Sequence, residues 1–111
     1  MAVIERIGRP EARPYLVAWG RLTEEDEQRL LSRVLTLRHV DVTVDLCEVE
    51  EVTDRGCEAI KNVAEYMGQG QTIVLLYRPD REETRSLERT GIADDGRIVL
   101  VASSTTRRIS I

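Results

Sequence analysis

Four consecutive residues in the middle of the chain, Thr53-Asp54-Arg55-Gly56, place a hydroxyl, a carboxylate and a guanidinium group at the start of a predicted helix. The Thr53 hydroxyl could accept a phosphate, or it could cap the helix by accepting a backbone hydrogen bond. The acid of Asp54 is favoured beside the positive end of a helix, whereas the cation of Arg55 is disfavoured there. The turn is therefore typical either of a contact site with fixed charge or of an ordinary helix cap.

Histidine and cysteine, which are common in nucleophilic and metal-binding sites, are sparse. The chain has one histidine, His39, expected in a solvated loop, and two cysteines, Cys47 and Cys57, which are too few for a four-ligand zinc site. With one histidine in the chain, no serine or cysteine nucleophile lies at a spacing from a histidine base that is typical of a catalytic pair. Gly68-x-Gly70 lacks the third glycine of a dinucleotide-binding loop. We expect no enzymatic activity, no metal site and no cofactor, and we expect both cysteines to be buried, reduced thiols.

The composition is that of one globular domain. The 111 residues are 41% hydrophobic and 32% charged, which excludes disordered and fibrous classes and predicts a single domain over 1–111. A net charge of −4 argues against nucleic-acid binding, and the longest apolar runs are strand-sized, so no membrane insertion is expected. Glu5 and Arg6 lie where a secretory signal would be apolar, so a cytoplasmic location is expected.

Strands that could position the turn are predicted by apolar alternation or short β-branched runs. Four segments have such a pattern, residues 15–22, 40–46, 72–77 and 97–102. Residues 2–7 are expected to add an antiparallel edge strand beside 15–22, and the polar end 103–111 is expected to fray.

Two amphipathic helices are predicted between these strands. The first begins at Thr23 as N-cap, with Asp26 three residues later completing a capping box, and it ends near Leu37. The second follows the Thr53-to-Gly56 turn and covers residues 55–67.

A third helix is predicted with Asp80 as N-cap and Gly91 at its end. Leu87 is its one large apolar residue, so we expect this helix to pack weakly and lie largely exposed. Because parallel neighbours need crossover connections, the alternation of elements predicts an α/β fold with a mostly parallel, mixed sheet of four to five strands.

Several motifs, in order, resemble a known family. Gly20-Arg21-Leu22 ends a strand, Asp45-Leu46 ends the next one, and Thr53-Asp54-Arg55-Gly56 follows without a gap. Leu87-Glu88-Arg89-Thr90-Gly91-Ile92 lies at the end of the third helix. Over nearly its whole length the chain resembles a STAS domain, the family of sulphate-transporter cytoplasmic tails and bacterial anti-sigma factor antagonists.

The resemblance implies a STAS fold and a regulatory function. Antagonists of this family control transcription by binding a partner protein, an anti-sigma factor kinase, which phosphorylates the serine just before the glycine of the turn. Arg55 occupies that position here and cannot accept phosphate. The preceding serine position is Asp54 and the family's aspartate position is Thr53, so we expect no phospho-acceptor, and Thr53 is the one remaining candidate.

The candidate partner-binding site lies where the carboxyl ends of parallel strands meet the helix N-termini, the docking end in the family. Seven residues are expected there, Arg21, Thr23, Glu24, Thr53, Asp54, Arg55 and Gly56. Two interpretations stay open at this point, a protein-docking surface without a phospho-switch and a solvated charged face that binds nothing.

Other functions also stay open. The resemblance equally allows an accessory STAS subunit of a transporter or a module that binds a small ligand or lipid. A homodimer formed through the edge strand or the third helix is a further alternative.

Overall fold

Strands and helices alternate along most of the chain. The computed structural model describes residues 1–7, 14–37, 41–67, 70–93 and 96–103. The strands in these residues are β1 (Ala2–Arg6), β2 (Tyr15–Leu22), β3 (Asp41–Asp45), β4 (Val49–Val52), β5 (Thr72–Tyr77) and β6 (Ile98–Ala102). The α-helices are α1 (Glu27–Leu37), α2 (Asp54–Tyr66) and α3 (Ser86–Arg89), and 3-10 helices Glu24–Asp26 and Glu82–Thr84 precede α1 and α3.

The strands form one mixed sheet in the order β1-β2-β3-β5-β6. β1 is antiparallel to β2, and the other pairs are parallel, which confirms the predicted α/β class. β4 adds a strand that the sequence did not predict, pairing with Gly20–Leu22 at the far end of β2. Its two central residues are both glutamates, so the segment lacks the alternation of apolar and polar residues that predicts a strand. It forms a strand because it pairs with β2. Because β4 ends beside the end of β2, it brings the Thr53-to-Gly56 turn to that end of the sheet.

One face of the sheet carries the core. Ile4 pairs with Ala18 across β1 and β2, and Val44 lies between Leu16 and Leu75 in the parallel part. All five side chains are buried. The helix residues of the same apolar cluster include Leu30, Val34, Ile60 and Val63. The opposite face carries alternate residues such as Val3, Trp19 and Val99, which are exposed.

The start of the first helical segment confirms the predicted capping box. The Thr23 hydroxyl accepts a hydrogen bond from the Glu25 N–H, and an Asp26 carboxylate oxygen accepts one from the Thr23 N–H at 2.9 Å. The second oxygen of Asp26, which is buried, accepts from the Ala2 N–H at 2.9 Å. This carboxylate therefore joins the helix start to the edge strand β1.

The third helical segment differs from its prediction. Arg81, not Asp80, is the N-cap, no side chain caps it, and α3 has only four residues. The Thr84 hydroxyl donates to the carbonyl oxygens of Arg78 and Arg81. Such local side-chain bonds to the backbone compete with the hydrogen bonds of a continuous helix. Five residues of the segment 82–89 are exposed, as expected, but Thr84, Ser86 and Leu87 are buried, so the segment packs more closely than its single large apolar residue predicted.

Gly91, with a φ of 66°, follows the end of the segment as predicted. Cys47 and Cys57 are buried free thiols, also as predicted. His39 and residues 104–111 lie outside the described part of the chain. Within the described residues, no helix combines the length and the apolar character needed to cross a bilayer.

Candidate functional site

Thr53 joins the end of β2 to the start of α2. It is the N-cap of α2, and its hydroxyl accepts a hydrogen bond from the Gly56 N–H at 2.9 Å. The same hydroxyl donates to the Leu22 carbonyl oxygen at 3.3 Å, and the Thr53 N–H donates to that oxygen at 3.1 Å. The hydroxyl is therefore used as both donor and acceptor, as an ordinary helix cap.

Gly56 lies directly against the end of β2. A Cβ atom at this position would lie 2.4 Å from the Leu22 carbonyl oxygen, well inside van der Waals contact. Glycine is therefore required by the close approach of the first turn of α2 to the backbone of β2, and its role in the site is to allow that approach.

A buried polar contact lies beneath the turn. The Ser86 hydroxyl donates to the Val52 carbonyl oxygen at 2.5 Å, and the Cys57 thiol donates to the Ser86 oxygen at 3.5 Å. Burial raises the pKa of the Cys57 thiol above its ordinary value, outweighing hydrogen bonds with Ser86 and Thr90 that lower it. Despite its place in the first helical turn, Cys57 thus remains a protonated, buried side chain, and it joins α2 to α3.

Above this contact, an open groove of about 720 Å³ separates the starts of the helical segments. We call it the α2 groove. Its lining includes six of the seven predicted site residues, namely Arg21, Thr23, Glu24, Thr53, Asp54 and Arg55. The seventh, Gly56, supports the groove from behind the Thr53 hydroxyl. The residues expected to share one end of the sheet are therefore brought together.

Two ion pairs connect α2 to the neighbouring helical segments across the groove. Arg55 Nη1 lies 3.4 Å from Glu24 Oε2, and their side chains are 75% and 56% exposed. Asp54 pairs with Arg89 of α3, and each of these side chains is 62% exposed. Because exposed pairs of this kind contribute about 0–1 kcal/mol, they shape the surface more than they stabilise the fold.

The groove carries an excess of negative charge. Arg21 pairs with Glu51 at 2.7 Å, linking β2 to β4. Among the described residues, the lining contains six acidic side chains and three arginines, a formal charge of −3. Glu25 and Glu82 are exposed lining residues with no cationic partner in the described part of the chain. Such a surface is complementary to a positively charged partner.

Several groove residues were missed by sequence reasoning, namely Glu51, Val52, Glu82, Glu83, Ser86 and Arg89. Glu25 belongs to the acidic first turn, Glu24 to Glu27, that was expected at this end, and Arg89 lies inside the Leu87-to-Ile92 motif, so it had a signal in the sequence. Glu51 had none, because β4 was not predicted, whereas Glu82 lies in the first turn of the predicted third helix and was not assigned to the site.

Binding is the chemistry that this arrangement can perform. The hydroxyls of Thr53 and Ser86 are held in hydrogen bonds, and the Cys57 thiol is buried. Within the described residues, no three histidine, cysteine or acidic side chains gather into a possible metal site. The exposed groups of the groove are guanidinium and carboxylate groups, which form salt bridges with other proteins.

Comparison with known proteins bears on the fold. No family model matches the sequence, and no curated protein matches it either. Among solved structures, the chain is similar to an anti-sigma factor antagonist from Mycobacterium paratuberculosis, with a TM-score of 0.69 and 15% sequence identity. The similarity covers 89% of this chain and 86% of that one. The chain therefore has the STAS fold of an anti-sigma factor antagonist.

Proposed function

We propose that this chain is a non-catalytic regulatory module that docks on a partner protein through the α2 groove, without the serine phospho-switch of the antagonists it resembles. The expected partner is an anti-sigma factor kinase or a protein of that kind. The observation that carries this proposal is the exposed Arg55–Glu24 pair at the position where the family has its phospho-acceptor. Transcription regulation in the bacterial cytoplasm is the corresponding setting.

Arg55 reverses the sign of the charge that a phospho-switch would supply. A phosphorylated serine carries about −1.5 to −2 charges at neutral pH, and this change decides whether a partner can dock. Arg55 instead carries a permanent positive charge, held 3.4 Å from Glu24. The docking surface then has one charge state and does not respond to a kinase at this position.

Thr53 is a poor substitute acceptor, because its hydroxyl is already engaged. Phosphorylation would remove the proton that it donates to the Leu22 carbonyl oxygen and would place phosphate oxygens beside that carbonyl. It would also disturb the bond that caps Gly56 at the start of α2. The cost of losing a helix cap is about 1 kcal/mol, before any repulsion is counted.

A partner could replace the exposed ion pairs of the groove with its own contacts at a small cost in free energy. Opening the Arg55–Glu24 pair or the Asp54–Arg89 pair costs at most about 1 kcal/mol, since water already reaches both. The charged lining of the groove favours a protein surface over a lipid, so the lipid and small-ligand alternatives gain no support from it.

The test separates docking from phosphorylation. The purified chain is incubated with ATP and each anti-sigma factor kinase encoded in the same genome, binding is measured by calorimetry, and phosphate addition is measured by intact mass spectrometry. We expect binding to one kinase without phosphate addition to the chain. Restoring the acceptor with Arg55→Ser should make the chain a substrate of that kinase.

Two results would contradict the proposal in different ways. Phosphate on the wild-type chain between Thr53 and Gly56 would overturn the fixed-charge part. Absence of binding to every kinase in the set would overturn the assignment of the partner.

A further inference from the structure

The outer edge of β1 presents main-chain groups away from the sheet. The Ala2 N–H donates to Asp26 at 2.9 Å, and the Ala2 carbonyl oxygen accepts from Arg29 at 2.7 Å, so both groups point away from β2. In an antiparallel strand this direction alternates, and the Ile7 N–H accordingly bonds the Tyr15 carbonyl oxygen on the inner side. The N–H and carbonyl of Ile4 therefore point outward, and no described residue bonds them there.

The side chains beside this edge form a mostly apolar depression with a positive rim. It measures about 330 Å³ and is lined by Met1, Ala2, Val3, Ile4, Arg29 and Arg33. Met1 and Val3 are 67% and 53% exposed, and both arginines are exposed on the α1 side of the edge, where Arg29 lies 3.6 Å from the buried Asp26 carboxylate and the two cations leave the rim with a net positive charge. Contiguous exposed apolar residues next to open main-chain groups are typical of a surface that pairs with another strand.

The charges of β1 argue against a second copy of this chain as the occupant. An antiparallel pair of β1 strands centred on Glu5 sets the two Glu5 side chains opposite each other. It also places Arg6 of one copy beside Ile4 of the other, next to Arg29 and Arg33. Like charges that face each other across strands are destabilising. If the pair is centred on Ile4 instead, Arg6 of one copy lies opposite Ala2 of the other. The main-chain groups of Ala2 already bond Asp26 and Arg29, so they cannot pair with the second strand.

We propose that the outer edge of β1 binds an extended segment of a partner protein, which adds to the sheet as a further strand. Its main chain pairs with Ile4, and the side chain next to Ile4 is acidic and meets the positive rim formed by Arg29 and Arg33. Apolar residues on either side of this acid pack beside Val3 on the opposite face. This surface shares no lining residue with the α2 groove and does not depend on the function proposed for that groove.

The experiment uses two blocked peptides as probes, Thr-Val-Glu-Val-Thr and Thr-Val-Arg-Val-Thr, added to the isotope-labelled full chain and followed by amide chemical shifts. We expect the glutamate peptide to shift the amides of Val3, Ile4 and Arg33. It should also bind about fivefold more tightly than the arginine peptide, since one exposed charge pair changes an affinity by up to about that factor. Arg33→Glu should reverse this preference.

Two further variants control the result. Arg55→Glu, in the α2 groove, should leave peptide binding unchanged, and Val3→Lys should weaken it while the rest of the spectrum stays native. Equal binding of both peptides, shifts centred on another part of the surface, or no shift with either peptide would overturn the proposal. Shifts of β1 amides with protein concentration alone would show that two copies pair there, and would overturn it too.

Discussion

Two layers of residues meet at the start of α2, and they differ in burial and in bonding. The inner layer consists of Leu22, Thr53, Gly56, Cys57 and Ser86. The outer rim consists of Arg21, Glu24, Glu51, Asp54, Arg55 and Arg89. The inner layer is joined by short contacts that include the backbone of β2 and β4, whereas the rim side chains are 45–75% exposed and pair with one another.

The difference indicates that the inner layer stabilises the fold and that the rim determines what the protein binds. Leaving a buried polar group without its partner costs about 1–3 kcal/mol, while an exposed ion pair contributes about 0–1 kcal/mol. Changes in the inner layer should therefore lower the free energy of unfolding, and changes in the rim should alter what the protein binds with little effect on its stability.

Gly56→Ala should be the most destabilising of these changes. The added Cβ would lie 2.4 Å from the Leu22 carbonyl oxygen, so α2 and β2 must separate, at a cost of about 3 kcal/mol. Urea denaturation measures the free energy of unfolding. The matched control is Gly70→Ala, where a Cβ has open space and only the φ of 84° is unfavourable, so a loss of about 1 kcal/mol is expected. Equal losses at both glycines would refute the close-approach argument.

Thr53→Val should have the next largest effect. It keeps the shape of the side chain but removes the cap on Gly56 and the hydroxyl's bond to the Leu22 carbonyl oxygen, with an expected loss of about 1–2 kcal/mol. Thr53→Ser keeps the hydroxyl and should cost clearly less in the same denaturation assay. If the serine and valine variants were equally unstable, the packing of the methyl group would explain the loss better than the hydrogen bonds.

A smaller loss is expected at alkaline pH. Because burial raises the pKa of Cys57 above its ordinary value, the unfolded chain releases this proton first as the pH passes about 9. The stabilising contribution of the protonated thiol is thus complete below pH 9 and declines above it. Urea denaturation between pH 8 and 10 should show a steeper decline for the wild type than for Cys57→Ala. Parallel pH profiles of the two proteins would exclude this contribution.

The Asp54–Arg89 pair should have the smallest effect on stability. A double-mutant cycle with Asp54→Ala and Arg89→Ala should give a coupling free energy below about 1 kcal/mol that decreases in high salt, since both side chains are 62% exposed. A coupling above about 2 kcal/mol, insensitive to salt, would place this pair with the inner layer and break the division.

Local patterns in the sequence predicted much of this arrangement. The capping box of Thr23 and Asp26 needs only residues three positions apart, and its geometry was predicted correctly. The alternation of β3 and the helical repeat of α2 are also local, so both elements were placed within one or two residues of their observed bounds.

Contacts between distant segments explain what was missed. β4 is a strand because it pairs with the end of β2, and its own residues, Val49–Val52, give no such pattern. The third helical segment is broken by the Thr84 hydroxyl and buried by the contact of Ser86 with Val52, which lies 34 residues earlier. Glu51 and Ser86 could therefore not be assigned to the site from the sequence.

We propose that the rim around Arg55 is a docking surface whose charge is fixed and negative overall. The most direct test is calorimetric titration of the anti-sigma factor kinase that binds the wild-type chain into Glu24→Lys, which reverses the acid paired with Arg55. Glu65→Lys, about 15 Å from Arg55 along α2, is the matched charge reversal outside the groove. We expect Glu24→Lys to bind at least about tenfold more weakly with a free energy of unfolding within about 1 kcal/mol of the wild type, and Glu65→Lys to bind like the wild type. Wild-type affinity in Glu24→Lys would contradict the docking surface.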